Sequence, residues 1–115
     1  MAFKEKEHLK GSQKSYQVHP NCKAYTLRDY GFTSTKAGNY QIEIPIRPEF
    51  QASHYLLLKV QIDKSVDKLQ MNVTNKTGLK AVNVYQNSDM ADLAKRLEEI
   101  LADLVDKQVL AISED

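Results

Sequence analysis

The apolar side chains follow two periods in turn from residue 40 onward, and this change of period constrains the fold more than any other feature. Tyr40, Ile42, Ile44 and Ile46 alternate with Gln41, Glu43, Pro45 and Arg47. Leu56, Leu58, Val60 and Ile62 repeat the pattern within 55–62, and Leu69, Met71 and Val73 repeat it against Gln70, Asn72 and Thr74. A period of two sends one set of side chains to one face of a pleated strand and the other set to water. The spacing then widens to three and four residues at Met90, Leu93, Leu97, Ile100 and Leu104, with Ala94, Leu101 and Val105 broadening the stripe. That is an amphipathic helix over about 89–107. The pattern predicts an α+β fold in which an antiparallel sheet of about four to six strands packs on one C-terminal amphipathic helix.

Turn and cap chemistry supplies the boundaries. Asn87, Ser88 and Asp89 carry side-chain oxygens suited to the orphan amides of a helix start, and Asp89 and Asp92 complement the positive end of its dipole. Asp63-Lys64-Ser65-Val66-Asp67 reads as the turn between the second and third strands, and Asn75-Lys76-Thr77-Gly78 as a hairpin loop leading to a further strand over Leu79 to Tyr85. Pro45 has no amide to donate, which places its strand at an edge or ends it there. The N-terminal third is more polar: one strand is expected over Ser15 to Val18, and Thr26-Leu27-Arg28-Asp29 resembles a capping box opening a single helical turn that Gly31 ends. Phe32 to Thr35 then enters a hairpin through Lys36-Ala37-Gly38-Asn39.

With 115 residues, 42% of them hydrophobic and 27% charged, the chain has the length and composition of one folded domain with one core. No stretch of about 18 apolar residues is present, and Met1 to Glu7 alternates charges where a signal peptide needs an apolar run, so a cytoplasmic location away from membranes is expected. The single cysteine, Cys22, forms no internal bridge, in keeping with a reducing compartment. The net charge of +1 conceals an asymmetry: 13 Lys/Arg against 7 Asp/Glu over residues 1–88, and 3 against 8 over 89–115.

Several residues invite a chemical reading, each beside a plainer one. Cys22 follows His19-Pro20-Asn21. Were Asn21 to cap a short helix, its N-terminus and Lys23 would favour a thiolate, although nothing in the sequence places His19, His8 or His54 within reach as its base. The plainer reading is a small buried thiol. His19 and Cys22 also form one pair at metal-ligand spacing, but a structural zinc site needs four ligands and His8 and His54 lie apart, so no metal is expected. Glu98, Glu99, Asp103 and Asp106 are interleaved with Lys95, Arg96 and Lys107, the mark of a solvated helix face with Lys95–Glu99 and Asp103–Lys107 pairs. Four glycines at 11, 31, 38 and 78 assemble no phosphate-binding loop, and no cofactor is expected. Lys14, Lys23, Arg28, Lys36 and Arg47 share the first half with Tyr16, Tyr25, Tyr30 and Tyr40, the residue types that bind single-stranded nucleic acid, although near-neutral total charge argues against it.

Tyr25-Thr26-Leu27-Arg28-Asp29-Tyr30-Gly31-Phe32, followed by Thr35-Lys36-Ala37-Gly38-Asn39-Tyr40 and the alternating strand to Ile46, resembles the family called domain of unknown function 1831, over nearly the whole chain. The resemblance implies a bacterial protein of lactic-acid bacteria and their relatives, with a sheet-plus-helix arrangement similar to TATA-binding-protein-like domains. It also implies a gene beside a cysteine desulfurase, and so a partner role near sulfur trafficking. The family's activity is not established, so the resemblance carries over no catalytic residue. Three functions follow as expectations: a non-enzymatic accessory or binding domain, possession of a persulfide-accepting Cys22 in sulfur relay, and single-stranded nucleic-acid binding.

Overall fold

Alternation over 40–74 folds into three long antiparallel strands. A computed structural model describes residues 3–9, 14–47, 55–75, 81–82 and 91–113. Its strands β1 (Ser15–Val18), β2 (Thr33–Ser34), β3 (Tyr40–Ile46), β4 (Leu56–Ile62), β5 (Leu69–Asn75) and β6 (Leu110–Ser113) accompany helices α1 (Ala24–Tyr30) and α2 (Ala91–Asp106). The strands divide between a four-stranded antiparallel sheet, ordered β2-β3-β4-β5, and a two-stranded one, β1-β6. In the larger sheet Tyr40, Ile62 and Leu69 stand in one cross-strand row, Ile42, Val60 and Met71 in the next, and Ile44, Leu58 and Val73 in a third. These rows form the face turned to the core, and the intervening rows, Gln41-Gln61-Gln70 and Glu43-Lys59-Asn72, form the other. Pro45 lies beyond the short stretch of β3 paired with β2, where its missing amide costs no ladder bond.

Helix α2 lies against both β3 and β6 and so joins the two sheets. Leu97, Leu101 and Leu104 are fully buried and Ile100 nearly so. Burial of such side chains contributes about 1.5–3 kcal/mol each. One cluster of buried side chains unites this stripe with the inner sheet face, Tyr16 and Val18 of β1, Leu27 of α1, and Val109 and Leu110. On the solvated side Lys107 reaches Asp103 at 3.7 Å as its spacing predicts, whereas Glu99 takes Arg96 at 3.4 Å in place of Lys95.

Two expectations for the N-terminal third need correction. α1 begins at Ala24, a full turn's width earlier than a Thr26 cap implies: Lys23 is the extended capping residue, and Thr26 Oγ1 accepts the Lys23 amide at 3.2 Å from the third helical position. Asn21 therefore caps no helix. β6 was not foreseen at all. Of the strand expected over Leu79 to Tyr85, the described part is a single bridge, Ala81 against Thr74, and the remainder lies outside the described residues together with the caps proposed at 87–89 and the loop at 76–78.

Two bridges connect the sheets along the N-terminal segment. Lys4 pairs with Leu69 on the outer edge of β5, and Glu7 pairs with Tyr16 on β1. Main-chain bonds of 2.7–2.9 Å form both.

Candidate functional site

The turn before α1 brings His19 and Cys22 together but gives neither the geometry of a nucleophile and its base. The Cys22 amide donates to the His19 carbonyl at 2.9 Å, and the Asn21 amide donates to His19 Nδ1, also at 2.9 Å. One imidazole nitrogen is therefore engaged by the turn itself. The thiol is buried and faces the Lys23 carbonyl at 3.9 Å. Burial pushes it up to about 11, only partly offset by the Lys23 charge, so at neutral pH it is protonated. Among the described residues no three of His, Cys, Asp and Glu gather closely enough to hold a metal ion.

The aromatic residues of the first half are similarly committed. Tyr16 and Tyr40 are core residues. The Tyr30 hydroxyl donates to Asp103 at 2.7 Å; burial and that carboxylate both raise its pKa. Tyr25 alone of the four stands largely open, at 64% exposure. Arg47 stacks over Tyr55, 4.6 Å from the ring centroid, at the mouth of a cleft of about 370 Å³ that Asp92, Lys95, Arg96 and Glu99 also line. That cleft is the solvated, ion-paired flank of α2, with Arg96 and Glu99 each 54% exposed.

A second recess, of about 360 Å³, opens beside β5. Lys4, Glu7, His8 and Leu9 line one side of it, Met71, Asn72 and Val73 the middle, and Ala81 and Val82 the far end. Lys4 and Leu69 exchange both backbone bonds, at 2.9 and 2.8 Å, so the polar groups of Leu69 point away from β4. Two residues on, those of Met71 point the same way, and at Val73 the carbonyl accepts the Val82 amide at 2.8 Å on that outer side. Met71, between these two ties, is only 3% exposed.

The family model for DUF1831, described as putative amino acid metabolism, matches residues 1–111. The chain belongs to the DUF1831 family. A crystal structure of a DUF1831 family protein from Lactobacillus plantarum is similar to it with a TM-score of 0.85 and 26% identity, over 98% of this chain and 99% of that one. No curated protein matches. Of the residues lining the β5 recess of this DUF1831 chain, the sequence marks Met71, Asn72 and Val73 as strand residues and His8 only as a scattered histidine. Lys4 and Glu7 sit in a segment without apolar period.

Proposed function

We propose that this DUF1831 protein is a non-enzymatic binding domain serving amino acid metabolism, with a cysteine desulfurase as its partner. The observation that carries the reading is the contrast between a sole thiol that is buried and protonated and a recess beside β5 with Lys4, Glu7, His8 and Asn72 among its lining residues. The family description supports the metabolic setting, and the family's gene company supports the partner. Sulfur relay through Cys22 needs a thiolate at the surface, which burial of that thiol opposes. The test is a pull-down of a cysteine desulfurase on the immobilised full chain. Enrichment over a control protein of matched size and charge is the expected result; recovery no greater than the control refutes the partnership.

A further inference from the structure

We draw no further inference here: the strongest candidate, the cleft between Arg47 beyond the end of β3 and the Asp92, Lys95, Arg96 and Glu99 side chains of α2, has in its Arg96–Glu99 pair and Arg47–Tyr55 stack the contacts of a solvated helix flank, and nothing in the structure shows what covers it.

Discussion

Alkylation of Cys22 by iodoacetamide, followed by mass spectrometry on the native chain, measures how completely the fold has withdrawn this thiol from chemistry. Only the thiolate attacks. Burial raises the thiol from 9.0 to about 11. At pH 7 the native chain then holds roughly 100-fold less thiolate than the same chain unfolded in denaturant, and steric exclusion at a site only 5% exposed slows the reaction further. The native rate should fall below the unfolded rate by at least that factor and climb about tenfold per pH unit well beyond pH 9. The same shift has a consequence for stability. Because the folded thiol titrates higher than the unfolded one, its contribution is complete below about pH 9 and is lost as pH rises toward 11, so Cys22→Ala should flatten part of the alkaline decline. A native rate within tenfold of the unfolded one at pH 7, a plateau near pH 8, or a persulfide on Cys22 after incubation with desulfurase and cysteine would each refute the argument and restore sulfur relay.

Two backbone predictions concern the helix ends and are read by thermal unfolding. Gly31 closes α1 at φ +123°, and a Cβ there would meet Ile42 Cδ1 at 3.6 Å, an ordinary contact, so the cost of Gly31→Ala is conformational: about 1–3 kcal/mol, or a fall of roughly 4–12 °C. An unchanged midpoint would show the turn to be relaxed. Gln108 closes α2 at φ +64°, a region that glycine enters without penalty, so Gln108→Gly should add about 0.5–1 kcal/mol and raise the midpoint by roughly 2–4 °C. A fall would mean that the Gln108 side chain contributes more than its backbone costs.

Those two helix ends also explain which parts of the fold were legible. Both close with the same pair of bonds: Phe32 and Val109 amides return to the carbonyls of Leu27 and Leu104, five residues back, and Gly31 and Gln108 amides to those of Arg28 and Val105, three back. Where glycine occupies the left-handed position the stop was readable. Where glutamine does, no stop signal exists, and the reversal that sends Val109 and Leu110 into the core passed unseen, along with β6 and the second sheet. The three long strands and the α2 stripe were readable because their information lies in side-chain period, which burial rewards directly at Leu58, Val60, Leu97 and Leu101. For the candidate site, residue type drew attention to His19 and Cys22, which the structure uses to build a turn.

The β5 recess lay beyond such reading for a different physical reason. The N-terminal segment reaches β5 through Lys4 and β1 through Glu7, and both ties are made by amides and carbonyls common to every residue. Any polar sequence able to adopt that path would form them, so no period or composition marks the segment as structural. Of its side chains, Lys4 and His8 stay exposed and Glu7 is half-buried, while Leu9 packs into the core. A segment fixed by its main chain leaves its side chains available for recognition, whereas β3, β4 and β5 must spend alternate residues on the core.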